Sequence, residues 1–167
     1  MSHQLNRMSS TPMLRLALSA LLAFGLDQLS KLVMLRWLDL ASVHAVEVWP
    51  PYLNFVMAWN TGINFGLFSG YDGHWLLVAF SIAVALGLAA WVRNKRGWML
   101  PLAAGAVVGG ALGNALDRAM YGAVVDFLNM SCCAINNPYS FNLADVFIAC
   151  GAVFIAIGHD AKVNDGK

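Results

Sequence analysis

The residues able to do chemistry stand in or beside the apolar runs of this 167-residue chain. Asp145 lies within "SFNLADVFIACGAVFIAIG" (Ser140–Gly158), a run apolar and long enough to cross a bilayer. An ionised carboxylate at the centre of such a helix costs on the order of 2.5–3.5 kcal/mol. Asn142, three residues earlier, shares its helical face. Asp126 sits in "AVVDFLN", whose apolar neighbours suggest an extended segment at the membrane surface. Asn114 and Arg118 form a stripe with Gly110 at spacing four, beside a second stripe of Gly105, Gly109 and Gly113 that permits close helix packing. Asp27 and Lys31 are four apart and can pair on one helix. No Ser/His or Cys/His arrangement and no phosphate loop accompanies them. What remains is two aspartates and a set of hydrogen-bond donors.

Two neighbouring carboxyls do not both ionise easily, so they share a proton and titrate as a pair. The ionised one can deprotonate a water, and the protonated one can hydrogen-bond to a carbonyl as it becomes tetrahedral. That is general acid/base hydrolysis of an amide without a covalent intermediate. Spacing alone leaves other readings open. The same carboxylates could serve proton-coupled transport, or the residues could form a binding scaffold without catalysis. Asp126 could be an ordinary loop aspartate, and the Asp27–Lys31 pair could merely fix a helix in place. Arg118 could be a buried clamp paired with Asp145. Asp117, next to Arg118, is expected to point elsewhere on the helix.

The elements that position these groups follow from composition. The chain is 59% hydrophobic and 11% charged, against about 25% charged residues in soluble domains. An integral membrane protein is expected, and the net charge of +1 excludes a broadly basic nucleic-acid binder. Cys132, Cys133 and Cys150 make no disulfide framework or zinc spacing, and the four histidines are scattered. Four runs have membrane length, near 13–35, 74–92, 98–116 and 141–158, each holding roughly the 20 residues a span needs. They make one membrane domain over 1–167, with outer segments near 36–73 and 119–140. Arg7, Arg15, Arg93, Lys95, Arg96, Lys162 and Lys167 gather on one side, which predicts cytoplasmic termini. Asp27, Lys31, Asn114, Arg118, Asp126, Asn142 and Asp145 then all fall at the outer edge, with Asn60 in the outer segment. Polar residues gathered at one membrane depth read as a site. "SVHAVEVW" and "YLNFVMAWN", split by Pro50–Pro51, predict a small β element on the outer surface.

Five motifs occur in order: "LDQLSK", "NTGINFG", "GGALGNALDR", "VVDFLN" and "FNLAD". Together, on four spans, they closely resemble the bacterial lipoprotein signal peptidases, or signal peptidase II. The resemblance covers all but the two tails. It implies an aspartyl endopeptidase of the inner membrane that cuts diacylglyceryl-modified prolipoproteins just before the lipid-bearing cysteine. It implies Asp126 and Asp145 as the catalytic pair, with Asp27, Lys31, Asn60, Gly62, Asn114, Arg118 and Asn142 in support. It further implies a mainly α membrane fold of four helices with a small periplasmic β cradle and a short amphipathic helix, placed near 62–71. No cofactor, no metal and no nucleic acid are expected, and the enzyme is expected to act as a monomer among membrane lipid. Globomycin, a cyclic lipopeptide, is the implied inhibitor. Two departures from the family pattern, Ile63–Asn64 after "NTG" and "NNPYS" before "FNLAD", lie where substrate and inhibitor fit would be set.

Overall fold

The computed structural model describes residues 2–62, 73–95, 97–132 and 137–164, with side chains placed from 11 to 158 within those ranges. The expected short helix near 62–71, beyond Gly62, and Asn136 of "NNPYS" lie outside the described residues. Helix α1 (Ser2–Leu32) runs on through a π-helical turn at Val33–Trp37, and a single turn, α2 (Leu40–Val43), follows. Strands β1 (Ala45–Trp49) and β2 (Leu53–Asn60) lead to α3 (Gly73–Val92) and α4 (Met99–Tyr121). Strand β3 (Val124–Asn129) and helix α5 (Leu143–Asn164) complete the chain.

Three stretches are long and apolar enough to cross a membrane: Thr11–Trp37, Gly73–Val92 and Met99–Tyr121. Leu143–Gly158 is a shorter apolar helix. Helix α4 is the hub, for 72% of its most apolar window is buried against 11% in α3. Its small residues explain this. A side chain at Gly105 or Gly109 would overlap Leu16, Ser19, Ala20 or Ala23 of α1, whereas one at Gly110 would overlap Ala144 and Ile148 of α5. The glycine stripe and Gly110 beside it thus bring two different helices within backbone contact of α4. Gly151 of α5 approaches Ala103 and Val107 just as closely.

The α1–α4 pairing is parallel. Arg15 Nη1 donates to Gly97 O at 2.8 Å and Ser19 Oγ to Leu102 O at 2.8 Å, while a side chain at Gly113 would meet Asp27. This register carries Lys31 to Asp117 at the far end. Leu14, Leu18, Leu21, Leu22, Leu29 and Leu32 remain exposed on α1, as suits a helix whose outer face meets lipid.

At that same end the strands form an antiparallel sheet in the order β1-β2-β3. Ala58 pairs with Asp126 and Asn60 with Val124. Met34, Leu40, Val125 and Phe127 pack beneath the sheet, and Phe55 meets Phe127 edge-on at 6.1 Å. A β-bridge joins Leu128 to Phe141, with paired backbone bonds of 2.8 and 2.9 Å. That bridge matters for the site, because it lays the start of α5 beside β3.

Candidate active site

The end of α5 is built as a capping box. Asn142 precedes the first helical residue, and its Oδ1 accepts the Asp145 N–H at 3.0 Å. Asp145 returns the bond, its Oδ2 accepting the Asn142 N–H at 3.2 Å. The pattern is that of the Ser/Thr-x-x-Glu box with Asn and Asp in those places. A third N–H of this helix terminus, from Ala144, is accepted by Asp27 Oδ1 of α1 at 2.9 Å. Asp145 therefore sits in the first turn, where the helix dipole favours its anion.

Asp126 is 2% exposed and accepts two side-chain amides. Asn142 Nδ2 donates to Oδ1 at 2.6 Å and Asn60 Nδ2 to Oδ2 at 3.0 Å. Asn60 is oriented by its own Oδ1, which takes the Gly62 N–H at 2.8 Å. Gly62 has φ +83°, and a side chain there would press on Leu77 and Arg118; glycine is the residue that fits such a position. Burial pushes the Asp126 carboxyl up to about 6. The bond from Asn60 pulls the other way, the charge of Asp145 adds to the rise, and the Asn142 bond and Lys31 oppose it.

Asn114 connects the groups from α4. Its Nδ2 donates to Asp145 Oδ1 at 2.9 Å, while its Oδ1 accepts Lys31 Nζ and Asn142 Nδ2, each at 3.1 Å. Lys31 pairs with Asp27 at 2.7 Å, as the i,i+4 spacing predicts. It pairs equally with Asp117, also at 2.7 Å. Asp27, Lys31 and Asp117 are all buried.

Of the nine expected site residues, the structure gathers Asp27, Lys31, Asn60, Asn114, Asp126, Asn142 and Asp145 into one hydrogen-bonded network, with Gly62 orienting Asn60. Arg118 stands differently. The sequence offers Asp145 as its partner, yet among the described residues Arg118 makes no ion pair. Its Nη1 reaches only Asn114 O at 3.4 Å, and its buried Nε has no hydrogen-bond partner among them. Asp145 is already engaged by Asn114 and the Asn142 backbone. The two aspartates do not bond each other directly; Asn142 lies between them. Asp117 and Gln28 were missed. Gln28 Nε2 donates to Asp117 Oδ1 at 3.1 Å and to Gly113 O at 3.3 Å. Asp117 is next to Arg118 in sequence and is expected to point elsewhere on the helix, as it does, and only the parallel register of α1 reveals its partner.

Comparison with known proteins identifies what carries this arrangement. Residues 19–159 match the family described as Signal peptidase (SPase) II. The lipoprotein signal peptidase of Methylorubrum extorquens strain PA1 is 45% identical over 145 residues, covering 83% of this chain and 82% of its own. That of Caulobacter vibrioides is 40% identical over 134 residues, covering 79% and 78%. A solved bacterial membrane enzyme, obtained by the in meso method at 2.3 Å resolution, superposes with a TM-score of 0.72 at 25% identity over 90% of each chain. The chain belongs to the signal peptidase II family of aspartyl peptidases, and its activity is that of a lipoprotein signal peptidase acting on prolipoproteins.

Proposed function

We propose that Asp126 and Asp145 are the catalytic pair, and that they cleave diacylglyceryl-modified prolipoproteins just before the lipidated cysteine. The observation that supports this best is Asn142. One residue donates its side chain to Asp126 and its backbone N–H to Asp145, so both carboxyls face a common partner from separate elements. Asp145, at a helix N-terminus and holding two N–H donors, is the base that takes a proton from water. Asp126, buried and raised to about 6, is the acid. Its proton bonds the scissile carbonyl oxygen as the water oxygen adds to the carbon. The proton gained by Asp145 then passes to the departing amide nitrogen, the C–N bond breaks, and the proton balance is restored between the two carboxyls.

All four apolar helices cross the membrane in this reading, α5 through Leu143–Gly158, with both termini cytoplasmic and the site at the periplasmic face. The bond to be cut in a membrane-anchored precursor lies at that depth. Arg118, whose buried Nε has no hydrogen-bond partner among the described residues, and Gly62 line the substrate side, as the family resemblance implies. Globomycin competes for the same place. The test is cleavage of one purified lipidated precursor by the purified protein, compared with the same precursor lacking its lipid. Cleavage of both at equal rates, or of neither, contradicts the substrate assignment.

A further inference from the structure

Each proposed catalytic aspartate follows a residue whose backbone N–H is held by a buried carboxylate. Ala144 N–H, just before Asp145, is accepted by Asp27 at 2.9 Å. Val125 N–H, just before Asp126, is accepted by Asp117 at 3.1 Å. The two holding carboxylates lie on different helices, α1 and α4, and one ammonium joins them: Lys31 Nζ is 2.7 Å from each. Its third proton goes to Asn114 Oδ1 at 3.1 Å. An ammonium only donates, so the Asn114 atom facing it is the oxygen, and the Asn114 amide nitrogen must face Asp145.

We infer that Asp27, Lys31 and Asp117 act as a calliper that sets the separation of Asp126 and Asp145, with Asp117 a positioning residue of the reaction. This rests on the two aspartates being the catalytic pair. One arm runs Lys31–Asp27–Ala144 to the first turn of α5; the other runs Lys31–Asp117–Val125 to β3. Neither β3 nor α5 is joined to the other by sequence contact at the site, since the chain leaves β3 at Asn129 and reaches α5 only at Leu143. Without a shared anchor, the distance between the aspartates would rest on the Leu128–Phe141 bridge and on the Asn142 side chain. With it, both are referred to a single atom. The glycine at 113 serves this arrangement, because a side chain there would stand 2.6 Å from Asp27 Oδ2. General acid/base transfer is sensitive to misplacement on the scale of an ångström, so the calliper acts on turnover and leaves substrate docking alone.

Removing one charge strands its partners, which is destabilising, whereas neutralising the whole cluster is tolerated far better. The decisive variant is therefore Asp27→Asn with Lys31→Met and Asp117→Asn. It neutralises all three charges together, leaves an amide oxygen for each backbone N–H, and removes the ammonium that joins the two arms. The expected result is a folded protein whose kcat falls at least tenfold while KM for a lipidated precursor stays within twofold. Asp117→Asn alone supplies the second reading, with the same split between kcat and KM. Wild-type kcat in either folded variant overturns the inference, as does a loss carried by KM. Inactive wild-type protein in the same assay points instead to failure of the proposed function itself.

Discussion

Asn142 stands 2.6 Å from an Asp126 carboxylate oxygen and, through its backbone N–H, 3.2 Å from a carboxylate oxygen of Asp145. One asparagine thus cross-links the strand and the helix that carry the two aspartates. It also caps α5. Replacing it separates two effects that usually travel together. Asn142→Ala should cost about 1 kcal/mol from the lost cap, read as a lowered Tm. It should also reduce kcat by a factor of roughly 10² or more, because Asp126 loses the amide that orients it and the Asp145 N–H loses its acceptor. A variant with the Tm loss and full kcat would leave Asn142 as a cap only.

The acid assigned to Asp126 sets a pH profile. kcat/KM reports groups of the free enzyme, so its alkaline limb should fall as pH rises through about 6, where Asp126 gives up its proton. Initial rates on a lipidated peptide from pH 4.5 to 9 measure this. A profile flat over that range contradicts the role of Asp126 as the acid.

The same carboxyl links stability to pH. Its value rises from the ordinary 3.8 to about 6 in the folded state, chiefly through burial. Between those values the folded protein binds more protons than the unfolded chain, so stability falls as pH rises through the window. The full contribution is on the order of 2–3 kcal/mol. The stability difference between wild type and Asp126→Asn should therefore shift against the wild type from pH 4 to pH 7, and level off above. A pH-independent difference in denaturation midpoints contradicts this.

Glycine 113 faces the site and glycine 109 does not. A side chain at Gly109 would overlap Ala20 and Ala23, whereas one at Gly113 would meet the Asp27 carboxylate. Both Gly→Ala variants should lose stability, by about 1–3 kcal/mol for such overpacking. Gly113→Ala should lose in addition at least tenfold in kcat, measured at a temperature where both remain folded. Equal kcat in the two variants would separate the α1–α4 packing from the chemistry.

The parts of the site that could be read from sequence were those set within one element. Asp27 and Lys31 are four apart on α1, and they pair. Asn142 stands three residues before Asp145, close enough to share its face, and the two residues bond each other as a cap. The apolar runs and the β-branched strands likewise signal the long helices and a sheet. What could not be read was set between elements. Asp117 reaches Lys31 only because the stripe of Gly105, Gly109 and Gly113 brings α1 parallel onto α4, fixing a register that no single-helix periodicity contains. Arg118 shows the converse. Spacing alone suggests a carboxylate partner for it, but Asn114 and the backbone of Asn142 already occupy Asp145.

The central claim is that Asp126 and Asp145 perform the cleavage together. Its most direct measurement is the rate at which purified wild type, Asp126→Asn and Asp145→Asn release the signal peptide from one lipidated precursor, with folding checked by thermal denaturation. The account predicts that each variant folds and that each loses roughly 10²–10⁴ in rate, the usual contribution of a positioned acid or base, or more. Cleavage at the wild-type rate by either folded variant would contradict it.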